Sequence, residues 1–269
     1  MRKLLWVILA AALALGLTAC GDDDDSAAGT PATSSAAADL GLITPGTLTV
    51  ASDIPYKPFE FFDPGSTDAK GFDVDLVKAI AKTVGITDVQ FVDQSFDGII
   101  LAMKQGKFDM SASSWTITAE RAQQVDFGDP YFSANQAILV KKDSTVTNLD
   151  GLKDKTIGAQ RATVGADLAA TVPGAKVLRY DTADDAFNAL AQGRVDAAIT
   201  DYPVVAFASR QKPTLKVAAE VPGNLSRGLM FPKGSTALRD AFDEGLATIK
   251  ADGTYDQIYA KWFGEAPAS

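Results

Sequence analysis

Residues 99–110 read IILAMKQGKFDM and residues 186–197 read AFNALAQGRVDA. In each stretch a helical pattern ends in Gln-Gly, a basic residue follows, and a residue of high β propensity plus Asp opens a strand. The spacing is constant, so Gln105, Gly106 and Asp109 correspond to Gln192, Gly193 and Asp196. The same register pairs Ser114 with Asp201. A weaker match pairs residues 48–52 with 156–160, each a strand pattern ahead of a helix and another strand. Two related α/β lobes are therefore expected, with strands alternating with helices in mostly parallel sheets. Ligands of such sheets bind beyond the carboxyl ends of the strands. Ser114 and Asp201 occupy that place in their lobes, so the lobes are expected to face each other across one cleft.

Outward from the repeat, residues 48–51 open the first lobe as a strand, and Asp53, Pro55 and Pro58 break it. Asp73 is placed to cap a helix whose inward face is Leu76, Val77, Ile80, Ala81 and Val84, with Gly85 closing it. Residues 89–92 read as the next strand. Near the end, Leu238, Phe242, Leu246 and Ile249 form one amphipathic stripe. Tyr255, Ile258, Tyr259 and Trp262 form another, whose aromatics read as core packing.

The first twenty residues bear on compartment. Arg2 and Lys3 precede an apolar run at residues 4–17, shorter than the roughly 20 residues of a membrane-spanning helix. The run ends in small residues, the layout of a secretory signal peptide over residues 1–20. Leu17-Thr18-Ala19-Cys20 is similar to a lipobox, which implies lipidation of Cys20 and an anchor at the extracytoplasmic membrane face. Residues 21–45 are read as a flexible tether, because the Asp-, Ser-, Ala- and Thr-rich stretch within them has no apolar periodicity. Cys20 is the only cysteine and histidine is absent, which disfavours disulfides, zinc sites and histidine-based catalysis. A net charge of -9 argues against nucleic acid as a partner.

Five further motifs carry a family resemblance. Gly71-Phe72-Asp73-Val74-Asp75-Leu76 opens the series. Residues 96–121 follow, running from a helix through G-K-x-D to S-x-x-T-x-T-x-x-R. Val125-Asp126-Phe127-Gly128-Asp129-Pro130-Tyr131, Phe231-Pro232-Lys233-Gly234-Ser235 and Asp252-Gly253-Thr254-Tyr255 complete it. In this order the sequence resembles extracellular solute-binding protein family 3, the polar amino acid receptors of ABC importers, over about residues 48–264. The resemblance implies a type II periplasmic-binding-protein-like fold with discontinuous lobes. Lobe one would hold residues 46–137 plus 229–269 and lobe two residues 138–228, with crossings near 138–141 and 226–228. It implies a monomer that closes by a hinge and delivers its ligand to a membrane permease and its ATPase. No metal or organic cofactor is implied, and membrane contact would be through the lipid anchor only.

A free amino acid carries a carboxylate and an ammonium, and both need partners once water leaves a closing cleft. The resemblance assigns the carboxylate to Arg121, whose planar fork suits bidentate recognition, and the ammonium to Asp201. Alanine at either position is expected to weaken binding without unfolding the chain. Ser114 and Thr116 match positions that hold the ligand's ionic groups. Thr163 and the N–H of Val164 match the carboxylate-binding start of a helix. The family's usual glycine before that threonine is Ala162 here, so the loop is expected to follow a slightly different path. Tyr56, Phe96 and Trp115 match pocket-lining positions. Asp53 favours a cationic side chain and Arg161 an acidic one, so the residues leave the amino acid open. Two rival readings stand beside this one, an enzyme on the same fold (a dehydratase or lyase) and an accessory sensor.

Overall fold

The computed structural model describes residues 40–264. The calls on the signal peptide and Cys20, and on the tether up to residue 39, lie outside the described residues. Among the described residues no helix is long and apolar enough to cross a membrane.

The chain runs β1 (Thr47–Ser52), β2 (Phe61–Phe62), β3 (Ala69–Lys70), α1 (Phe72–Thr83), β4 (Asp88–Asp93), α2 (Phe96–Lys104), β5 (Met110–Ser111), α3 (Ala119–Ala122) and β6 (Asp126–Phe127). It crosses into β7 (Phe132–Lys141), β8 (Thr156–Gln160), α4 (Val164–Ala170), β9 (Lys176–Tyr180), α5 (Ala183–Ala191), β10 (Ala197–Asp201), α6 (Tyr202–Gln211) and β11 (Leu215–Arg227). It returns through β12 (Met230–Phe231), α7 (Thr236–Ala251) and α8 (Thr254–Phe263). Two five-stranded sheets result, ordered β4-β1-β5-β12-β6 and β11-β7-β10-β8-β9. In the first, β1 pairs in parallel with β4 and β5; in the second, β8 pairs in parallel with β9 and β10. The strands that enter from the crossings, β7 and β12, pair antiparallel with their neighbours, and β11 is antiparallel only to β7. Chain arriving from the opposite lobe meets each sheet running the other way, which is why neither sheet is wholly parallel.

The internal repeat has a physical origin. Helices α2 and α5 end on Gln105 and Gln192, with Gly106 and Gly193 next at φ 67° and 75°. This left-handed backbone suits glycine, which has no Cβ to clash. Both ends are sealed alike: the N–H of Lys107 donates to Ala102 O and that of Arg194 to Ala189 O. The paired aspartates then do the same work. Asp109 accepts from the N–H of Thr49 in β1 at 2.7 Å, and Asp196 from the N–H of Thr156 in β8 at 2.8 Å. Each carboxylate thus fixes where β1 or β8 sits in its lobe, and with it where that strand's carboxyl end points.

The expectations for two segments need correction. Asp73 does not cap α1; the cap is Gly71, and Asp73 turns its buried carboxylate inward. It accepts there from the Ser114 N–H at 2.8 Å and the Tyr131 hydroxyl at 2.8 Å. The first crossing is not at residues 138–141, because Ile138, Leu139 and Val140 are buried in the second sheet between β10 and β11. The chain leaves the first sheet after Phe127 and enters the second by Phe132, and it returns through Gly228 and Leu229. The terminal aromatics pack in the core as expected: Tyr255 and Tyr259 meet Phe72 edge-on, Phe263 meets it at a tilt, and the Tyr255 hydroxyl donates to Tyr131 O at 2.6 Å.

Candidate functional site

The carboxyl ends of β1, β5, β8 and β10 converge on one small cavity, as ligand sites of parallel sheets do. Asp53, Tyr56, Phe96, Ser114, Thr116, Arg121, Thr163, Val164 and Asp201 line it. Ser114 and Asp201, equivalent in the repeat, meet across the cleft with Ser114 Oγ 3.5 Å from Asp201 Oδ2. Three further hydrogen bonds join the lobes around the cavity. Gln160 donates to Asp53 Oδ2 at 2.6 Å, Arg121 to the Ala162 carbonyl at 2.9 Å, and the Tyr56 and Thr200 hydroxyls lie 2.9 Å apart.

Arg121 projects from α3, a four-residue helix capped by Thr118, whose hydroxyl accepts from the Arg121 N–H. Its guanidinium is buried, donates to the Thr116 carbonyl at 2.9 Å, and lies 4.9 Å from the Trp115 ring and 5.4 Å from that of Phe96. Burial, with the nearby charge of Arg227, pulls its pKa down to about 10, which still leaves it charged at neutral pH. The aromatic faces hold the planar fork from behind and leave its remaining donors for the cavity.

Trp115 and Arg161 are not in the cavity wall, which corrects both expectations. Trp115 is fully buried behind Phe96, stacked on it at 4.1 Å, with its indole N–H donated to Ser111 Oγ. It supports the wall without reaching the ligand space. Arg161 lies at the rim, 2.5 Å from Asp181 of its own lobe and 3.7 Å from Asp97 of the other. Its charge is spent on these exposed carboxylates and not aimed inward.

Ala162 does the work of the glycine it replaces. Its φ is 59°, so the loop keeps a left-handed turn despite the Cβ, and its carbonyl reaches Arg121. A non-glycine residue held there is strained by about 1–2 kcal/mol. Ala162→Gly is expected to raise stability by about 0.5–1 kcal/mol, the unfolded-chain entropy of glycine offsetting part of the gain. Thermal unfolding of the two proteins checks this.

Five lining residues escaped the sequence reading: Ser113, Gln136, Gln160, Gly165 and Thr200. Gln160 had a signal, since residues 48–52 and 156–160 correspond and Gln160 ends its strand as Ser52 does. Gln136 and Arg227 had none. Gln136 donates to Asp201 Oδ1 at 2.5 Å, and Arg227, fully buried, donates to the same oxygen at 2.5 Å. Asp201 therefore anchors a buried cation as well as facing the cavity.

The carboxylates divide into a wall layer and a deeper layer. Burial raises Asp53 to about 6, against the hydrogen bonds from Gln160 and the Phe96 N–H that favour its charged form. Behind the wall, Glu60 accepts from Ser113 Oγ at 2.8 Å. Burial and the neighbouring Asp73 push it well above the usual carboxylate range. Burial raises Asp73 to about 7. Among the described residues no cluster of His, Cys, Asp or Glu is placed to hold a metal ion.

Residues 48–265 match the sequence pattern of the bacterial extracellular solute-binding proteins, family 3. The chain is 32% identical over 214 residues to the ABC transporter glutamine-binding protein GlnH of Bacillus subtilis (strain 168), covering 78% of each protein. It is 31% identical over 273 residues to the arginine-binding extracellular protein ArtP of the same organism, covering 98% of each. Among solved structures it resembles an ancestral arginine-binding protein bound to arginine. The TM-score is 0.78 and the identity 41%, covering 81% of this chain and 99% of that one. With a two-lobe α/β fold built around one cleft and relatives matched over nearly all of that fold, the chain belongs to the bacterial extracellular solute-binding proteins, family 3.

Proposed function

We propose that the cleft captures a free polar amino acid, with preference for a basic side chain, and that the closed protein hands it to an ABC permease. The observation that carries this reading is the placement of Arg121 and Asp201. They lie in different lobes, both are buried, and both line one cavity. A buried cation and a buried carboxylate facing one space suit a zwitterion, which would otherwise leave both charges unpaired. In this reading Arg121, with Thr116 and the opening of α4 at Thr163 and Val164, takes the carboxylate. Asp201 and Ser114 take the ammonium, and Tyr56 and Phe96 cover the aliphatic part. Asp53 meets the side chain. The relatives GlnH and ArtP are a glutamine-binding and an arginine-binding protein, and both ligands carry polar side chains. Lipid attachment at Cys20, a hinge at the two crossings and a monomeric state complete the proposal.

A thermal-shift screen of the twenty amino acids, followed by calorimetry, tests it. A ligand at 100 times its dissociation constant stabilises the fold by about 2.7 kcal/mol. No response to any amino acid, in protein freed of co-purified ligand, refutes the reading.

The side-chain assignment has its own test in pH. A cation beside Asp53 favours its carboxylate, so binding expels the proton that Asp53 holds below pH about 6. Affinity for a basic amino acid is expected to rise with pH through that range and level off above it. Full coupling makes binding about ten-fold weaker at pH 5 than at pH 7. Asp73 also titrates near neutrality, so the comparison is with Asp53→Asn, which should lose this dependence. The same pH profile in the variant would remove Asp53 from contact with the side chain.

A further inference from the structure

Arg227 is the one fully buried arginine among the described residues, and the amino acid clamp does not use it. It ends β11 where the chain recrosses, paired with Phe132 and bridged to Thr116, so its backbone is tied to both lobes. Its guanidinium donates to Asp201 Oδ1 at 2.5 Å and to the Leu225 carbonyl at 2.8 Å, while its Nε has no partner among the described residues. Stability alone is a weak reason for such a group, because buried ion pairs are often no more stable than apolar packing of the same volume.

The charges around the cavity suggest another reason. Asp53 and Asp201 stand in the wall against Arg121, with Glu60 and Asp73 one hydrogen bond behind it. Glu60 is held largely neutral, but without Arg227 the two wall carboxylates still outnumber the one cation of Arg121, and such a site would disfavour any ligand lacking an extra positive charge. We propose that Arg227 is a selectivity-determining residue: its fixed charge behind Asp201 offsets the acidic wall, so the cleft accepts neutral polar side chains beside cationic ones. This rests on the amino acid reading of the site. Arg227 acts through Asp201 and through the field, since its own side chain does not line the cavity.

Arginine and citrulline differ in side-chain charge at nearly constant shape, so the change in the ratio of their dissociation constants between wild type and variant reads the field, the difference in hydrogen-bonding groups being common to both proteins. Calorimetry on the full chain should show Arg227→Gln favouring arginine over citrulline by about ten-fold more than wild type does, which corresponds to about 1.4 kcal/mol. Arg227→Lys should restore the wild-type ratio. A residue that only holds the fold would shift both constants by one common factor, and an unchanged ratio overturns the proposal. Should Arg227→Gln fail to fold, wild type decides: citrulline must bind within about a hundred-fold of arginine, and a wider gap overturns it. Wild type that binds neither ligand takes down the amino acid reading and this proposal together.

Discussion

Arg121→Ala is expected to weaken amino acid binding by about a hundred-fold or more, the cost of leaving a desolvated carboxylate without its partner. The side chain is buried, faces the cavity, and is held by carbonyls of both lobes, Thr116 and Ala162. Its removal therefore costs the ligand an ion pair and costs closure a bond across the cleft. The ligand-free fold should suffer less. Burial and Arg227 both oppose the charge of Arg121, so its loss relieves repulsion while it strands two carbonyls. Arg121→Lys keeps the charge without the planar fork and should recover only part of the affinity. Calorimetry for binding and thermal unfolding without ligand separate the two effects. A dissociation constant within about three-fold of wild type would remove Arg121 from the site, since a truncated buried charge contact costs far more than that.

The two lobes were legible because their repeat rests on backbone chemistry that restricts residue choice. A helix ending on a left-handed residue calls for glycine, hence Gly106 and Gly193, and an aspartate that ties down a neighbouring strand must stand at a set distance beyond it. Those constraints also placed Ser114 and Asp201 at facing strand ends. The lobe boundary was not legible. β7 runs unbroken from the crossing at Phe132 into the second sheet, and its pairing with β11 spans partners such as Phe132 and Arg227 that are remote in sequence. Nothing in the local pattern marks where one lobe stops. Gln136 and Arg227 escaped for the same reason. Each is a polar residue on a long strand, and only the distant partner Asp201 shows why it is buried. Asp73 misled because an acidic residue at a helix start ordinarily serves the helix, whereas this one serves Ser114 and Tyr131.

Asp201→Ala should differ from Arg121→Ala in what it does to the empty protein. The sequence alone suggested that alanine here would leave the fold intact, but the ion pair with Arg227 changes that expectation. Removing Asp201 leaves a fully buried guanidinium without its counter-ion and Gln136 without its acceptor. Breaking a buried pair in this way typically costs about 3–5 kcal/mol, so the ligand-free variant should unfold at a clearly lower temperature. Binding should fall by about a hundred-fold or more as well, because the ammonium loses its carboxylate. One protein would then show two losses with two causes, and a second substitution separates them. Arg227→Met added to Asp201→Ala removes the stranded charge, so it should return most of the stability while affinity stays low. Recovery of both together would mean that Asp201 matters to the ligand only by keeping the site folded. A single variant as stable as wild type would mean that Arg227 finds another partner when Asp201 is gone, since a guanidinium keeps its charge.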